Sequence, residues 1–205
     1  MKNLSLGVLL FATCLLSLPA QTSAPSSRAE FTRRLVAAAV DRSRIHVRYT
    51  DAYVAIPYPG GDVPADTGAC VDEIIRIYRQ VGTDLQKEIL EDEVRDFTEY
   101  GKLPHQARRP DRNIDHRRVA NLQVFLRRHG EKLSTANNPA DFLPGDIVIW
   151  QLPNGRGHVG MVVNQKPVWF DRYMVLHNIG DGPKIEDVVF DWKITGHFRY
   201  WGPKL

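Results

Sequence analysis

The sequence is short of cysteine, of any large charge excess and of long hydrophobic runs, and each shortage excludes something. Two cysteines, Cys14 and Cys70, allow at most one disulfide, so no disulfide framework carries this fold. Lys and Arg total 27 against 24 for Asp and Glu, a formal net charge of +3. An excess that small makes no dense basic face, so no nucleic-acid partner is expected. The low-charge run at 4–18 stops at Pro19, short of the ~20 apolar residues that span a bilayer. No other stretch approaches that length, and no membrane span is expected. What is present is a globular balance, 43% hydrophobic and 25% charged residues in a chain of 205, enough for one domain with a real core.

Lys2, the apolar run and the small residues after Pro19 together describe a secretory signal, with cleavage after Ala20. Lipoprotein anchoring at Cys14 is not expected, because Phe11 and Thr13 suit a lipid-attachment box poorly and Leu15-Leu16 continue the apolar run. Residues 1–20 are thus read as signal, 21–28 as a flexible leader and 29–205 as a single domain. Cleavage leaves Cys70 as the one thiol in an oxidising compartment. It is either a buried structural cysteine or a reactive one.

Periodicity divides the domain in two. Phe31, Leu35, Val36 and Ala39 recur at helical spacing, and Val47 and Tyr49 alternate as in a short strand. A loop rich in Pro and Gly then delivers the chain to Cys70, where Val71, Ile74, Ile75, Tyr78 and Val81 form a second helical stripe ended by Gly82. Thr83 and Gln86 make a capping-box pattern for a third helix with Leu85, Ile89 and Phe97 inward and its acidic run in solvent. A polar, arginine-rich loop leads to a fourth helix carrying Val119, Leu122, Phe125 and Leu126. Beyond Gly130 the period changes, and residues 146–152, 158–163, 174–179 and 194–201 read as strands on short links. Helices followed by an antiparallel sheet on one core is an α+β arrangement.

Cys70 begins its helix, where unpaired N–H groups and the positive end of the dipole favour a thiolate. The same groups can stabilise an oxyanion on an attacked amide. This placement predicts a thiol pKa drawn below ~8.5. Of seven histidines, His158 is the best placed as base, starting an apolar strand after a glycine-rich turn, with Gly157 and Gly160 expected to leave space around its ring. A third polar group usually orients such a base. His177 and Asn178 in the next strand are the candidates, and alternation puts them on opposite faces.

These residues carry a resemblance. Cys70 at a helix start, Leu143-Pro144-Gly145-Asp146-Ile147-Val148, Gly157-His158-Val159-Gly160 and the strand with His177 resemble the NlpC-like papain-fold hydrolases of bacterial cell walls. The chain is more similar still to a secreted bacterial family known as a domain of unknown function. The runs that carry this are Gly68-Ala69-Cys70-Val71-Asp72, the segment Asp115-His116-Arg117-Arg118-Val119, His177-Asn178-Ile179-Gly180-Asp181-Gly182 and Ile194-Thr195-Gly196-His197-Phe198. The resemblance implies a papain-like fold with Cys70 as nucleophile, His158 as base and His177 as the orienting residue. It implies cleavage of peptide bonds in peptidoglycan stems in the periplasm, with no cofactor and no metal. It also implies a tie to cell-envelope secretion machinery, through a relative linked to type VI secretion. Gly68-Ala69-Cys70-Val71-Asp72 departs from the commoner Asp-Cys-Ser-Gly and leaves the scissile bond open.

Asp115, His116, Arg117 and Arg118, with Asn178, are the candidate substrate-binding residues, since arginine forks suit the carboxylates of stem peptides. The alternative is a solvated loop whose charges pair among themselves. Other functional classes fit the same residues. A zinc amidase or peptidase could use Cys70, His158 and His177 as ligands, although CxxC, HxH and HExxH spacings are absent. A non-catalytic wall-binding or secretion-scaffold module would make Cys70 dispensable, and an acyltransferase would pass the acyl group to an amine.

Overall fold

The computed structural model describes residues 27–104 and 106–203, so the expected signal and most of the expected leader lie outside the described residues. Helix α1 (Arg28–Arg42) is capped by the Ser27 hydroxyl, which accepts the Glu30 N–H. Strand β1 (Arg48–Tyr49) pairs in parallel with β2 (Thr67–Gly68), Tyr49 opposite Gly68, and β2 feeds α2 (Cys70–Gln80). Gly82, at φ 89°, turns the chain into α3 (Leu85–Arg95). The cap of α3 is Asp84, whose carboxylate accepts the Gln86 N–H, and not the expected Thr83. Gln86 instead holds the preceding loop, donating to the Pro57 carbonyl and accepting the Gly61 N–H.

The acidic run of α3 is also not the solvated face expected for it. Asp92 is buried against Tyr100, Arg128 and His129, and Glu93 is buried against Asn121 of α4 (Val119–His129). Helix period alone does not separate a solvated acidic face from one met by another helix's arginine and histidine.

Strands β3 (Glu131–Lys132), β4 (Ile147–Gln151), β5 (Gly157–Val162), β6 (Val175–Asn178), β7 (Pro183–Glu186) and β8 (Lys193–Arg199) form one sheet in the order β3-β8-β4-β5-β6-β7. Its paired neighbours are all antiparallel. The helices cover one face, where Ile147, Ile149, Val159, Met161 and Leu176 join Leu35, Ile74, Tyr78 and Leu122 in the main core. The alternate residues Val148, Trp150, Val162 and Val175 face the other way, under Phe142, Val189 and Trp192. The protein is thus α+β, with helices on an antiparallel sheet. Among the described residues no helix is long and apolar enough to cross a membrane.

Candidate active site

Helix α2 is buried on its polar side as well as its apolar one. Asp72, Glu73 and Arg76 are all under 10% exposed, and each is paired. Glu73 takes Arg42 of α1 at 2.7 Å, and Arg76 takes Asp62 at 2.9 Å while donating to the Thr67 carbonyl of β2. Asp72 sets the helix start, accepting the Ala69 N–H at 2.7 Å. Both its oxygens hold the Arg117 fork, at 2.8 and 3.1 Å.

This frame places Cys70, 4% exposed, in the first turn of α2. Three N–H groups meet its sulfur: its own, that of Val71 and that of Val159 on β5. The last comes from the sheet because β5–β6 pairing ends at Gly160 opposite His177. One residue beyond the last pair, the Val159 N–H meets sulfur instead of a strand. The thiol therefore meets the sheet at the residue after His158. Burial pushes the Cys70 thiol up to about 11, against the lowering by the three N–H groups. The expected thiolate is thereby corrected to a thiol, because desolvation outweighs the helix start.

His158 and His177 lie on the sheet face away from the helices, 1% and 2% exposed. His158 Nε2 is 2.9 Å from His177 Nδ1, and His177 Nε2 is 2.9 Å from Glu186 Oε2 on β7. Trp150 stacks on His158 with centroids 5.8 Å apart, and Trp192 meets both imidazoles edge-on at 5.5 and 5.7 Å. Burial, then the neighbouring His177, brings His158 down to about 3, and burial also lowers His177 against the pull of Glu186. Among the described residues, no hydrogen bond joins the sulfur to either imidazole, and His158 Nδ1 makes none.

Gly160 leaves no open space, contrary to the expectation. A Cβ there would stand 2.5 Å from Val175 Cγ1, 2.8 Å from the Leu176 carbonyl oxygen and 3.2 Å from His177 Cβ. The glycine lets β6 close in so that the two imidazoles meet. Asn178, on the opposite face from His177, is buried near the start of α2, its Nδ2 3.5 Å from the Gly68 carbonyl.

The segment at 115–118 is mostly turned inward. Asp115 accepts from Gln106, the Asp111 N–H and Arg118, His116 is 3% exposed, and Arg117 is committed to Asp72. Arg118, with a side chain 33% exposed, is the member that reaches solvent. Among the described residues no group of three or more His, Cys, Asp or Glu side chains is arranged to hold a metal ion.

Residues 36–200 match the profile of a family described as Domain of unknown function (DUF1287). The chain belongs to that family. Escherichia coli (strain K12) YijF, described as an uncharacterized protein, is 46% identical over 153 residues, covering 75% of this chain and 74% of its own. Among solved structures, NlpC1 from Trichomonas vaginalis is similar over 83% of this chain at 16% identity, with a TM-score of 0.44; the chain spans 44% of that structure's length. Cys70, His158, His177 and Glu186 all fall inside the DUF1287 match.

Sequence reasoning missed three residues around this candidate site. Glu186 escaped because Pro183 and the glycines before it read as a turn, not as a strand facing β6. Trp192 lies between strands and carries no periodic signal. Tyr49 is half-buried, and burial and then the Cys70 charge push its hydroxyl up to about 12, a proximity created by the parallel pairing of β1 with β2. Beside it, Asp51 and Arg156 form an exposed ion pair between the chain after β1 and the turn before β5.

Proposed function

We propose that this chain is a papain-like cysteine peptidase that cleaves peptide bonds in peptidoglycan stems, working in the periplasm after removal of residues 1–20. The observation that carries the reading is a thiol in the first turn of a buried helix, against the N–H of the residue after His158, where His158 is tied through Nε2 to His177 and open at Nδ1. The sequence resemblance to the NlpC-like wall hydrolases supplies the substrate class.

In this reading Cys70 is the nucleophile, His158 the base and His177 the orienting residue. Resting thiol and imidazole are both neutral, so the proton leaves sulfur for His158 Nδ1 as sulfur attacks the carbonyl carbon. The C–N bond then breaks, the imidazolium returns the proton to the departing amine, and water hydrolyses the thioester. The N–H groups of the α2 first turn face the place where charge develops on the carbonyl oxygen. Arg118 is the member of the 115–118 segment assigned to a stem carboxylate, with Asp115, His116 and Arg117 shaping that side and Asn178 lining the opposite one.

Digestion of purified peptidoglycan by the mature protein and by Cys70→Ala, with fragments identified by mass, tests the reading. Wild type should release stem-peptide fragments, and Cys70→Ala should lose at least ~10³-fold of that rate at nearly unchanged thermal stability. Equal digestion by the variant overturns the assignment.

A further inference from the structure

We propose that Glu186 is a positioning residue that sets the tautomers of both imidazoles, so that His158 presents an unprotonated Nδ1 to the Cys70 thiol. The proposal rests on the peptidase reading for its purpose, but its geometry stands independently. Glu186 ends β7 at the sheet edge, opposite Val175, which puts its side chain on the face that holds His177. Its Oε2 lies 2.9 Å from His177 Nε2.

The argument runs along three side chains. A carboxylate oxygen accepts hydrogen bonds, so the proton of neutral His177 belongs on Nε2. His177 Nδ1 is then a lone pair, and it lies 2.9 Å from His158 Nε2. That nitrogen must carry the proton of His158, which leaves Nδ1 as the acceptor. Reversing the first choice reverses every later one: with the proton on His177 Nδ1, His158 Nε2 becomes an acceptor and Nδ1 is protonated. An imidazole in that state cannot take a proton from sulfur. A carboxylate 2.9 Å from the second ring thereby controls the far side of the first.

The surroundings leave this task to Glu186. His177 faces His158 on β5, Glu186 and Lys184 on β7 and Asp191 in the connection to β8, and its contact with Trp192 is edge-on between rings. Lys184 is joined to Asp181, and Glu186 is the charged group hydrogen-bonded to the ring. The carboxylate also favours an imidazolium on the pair, which the transferred proton creates.

Imidazole ¹⁵N NMR of the mature protein without substrate tests the proposal, in wild type, Glu186→Gln and Glu186→Leu. Wild type should show His158 protonated at Nε2 and bare at Nδ1. Glu186→Gln should retain this pattern, because its amide oxygen can accept the same proton, whereas Glu186→Leu should show His158 protonated at Nδ1 in a substantial fraction of molecules. In stem-peptide hydrolysis, Glu186→Leu should lose ~10-fold or more in kcat, against the ~10²–10⁴-fold that a positioned base contributes, and Glu186→Gln should lose less. Both variants should move the acid limb of the kcat profile to lower pH, since a negative charge beside the pair has gone. A purely structural role lowers activity without moving tautomer or acid limb. An unchanged His158 tautomer in Glu186→Leu overturns the proposal. Tautomer control in a wild type that digests no peptidoglycan removes the peptidase reading and leaves this one standing.

Discussion

His197 and His158 occupy the same face of the six-stranded sheet, and both are essentially excluded from solvent. His197 has both ring nitrogens occupied, Nδ1 at 2.6 Å from the Ser134 carbonyl and Nε2 at 3.0 Å from Asp146, and Phe142 stacks on it at 4.2 Å. Asp146 is in turn held by Arg199 at 2.7 Å and caps the turn before β4 by accepting the Leu143 N–H. His158 is packed as tightly, between Trp150 and Trp192, yet it is hydrogen-bonded at Nε2 only. The contrast separates a histidine that closes a structural network from one that ends a network at an open atom. Burial is the same in both. What differs is whether both ring nitrogens have a partner within the protein.

Exchanging the two losses is the strongest way to break this contrast. His158→Ala should lower stem-peptide hydrolysis per folded molecule by ~10²–10⁴-fold, beyond the stability cost of the cavity it leaves between Trp150 and Trp192. His197→Ala should cost about 2–4 kcal/mol of stability while leaving kcat per folded molecule close to wild type. Urea unfolding and single-turnover hydrolysis on both variants decide it, and a catalytic loss in His197→Ala at unchanged stability inverts the comparison. Arg117→Ala tests whether the start of α2 depends on a closed network like that of His197. It strands the buried Asp72 carboxylate and should cost about 3–5 kcal/mol. A variant that unfolds at the wild-type midpoint, yet binds stem peptides less well, would return Arg117 to the substrate side.

Smaller changes sharpen the comparison. Gly160→Ala places a methyl 2.5 Å from Val175 Cγ1 and should cost about 1–3 kcal/mol through displacement of β6. Because the same shift carries His177 away from His158, kcat should fall further than stability does, a split that hydrolysis and melting read together. The least effect on hydrolysis is expected at Glu93, whose Oε2 has no partner although it is buried. Burial, opposed by Asn121, pushes its carboxyl up to about 8. The folded state therefore keeps this proton while the unfolded chain releases it near pH 4.5. Stability from this group is present below pH 4.5 and declines as pH rises towards 8. Glu93→Gln should flatten that decline and raise stability at pH 8, as measured by denaturant midpoints between pH 4 and 9. Glu93 also shows that an open buried atom does not by itself make a site, since no nucleophile stands beside it.

Much of this molecule was legible in order of residues alone, for a local reason. Helix and strand periods repeat within a few residues, so the stripes of α1, α2 and α4, the change to strands after Gly130, and Cys70 at a helix start follow from spacing that the chain carries with it. The short β7 was not legible, because four residues beginning with proline carry too little pattern. Alternation separated His177 from Asn178, but only the pairing of β5 with β6 chose between their faces, by setting Gly160 opposite His177. Arg117 and Arg118 looked alike, and the fold bound Arg117 to an aspartate 45 positions away while turning Arg118 towards solvent. The direction of the Cys70 shift was likewise decided by tertiary structure. A helix N-terminus is a local feature that lowers a thiol pKa, whereas desolvation is the sum of everything packed around the sulfur, and here that sum is larger. The sequence by itself determined the elements and the residue types that can do chemistry. Tertiary structure decided which atoms meet and which stay open, because both depend on contacts between residues far apart in the chain.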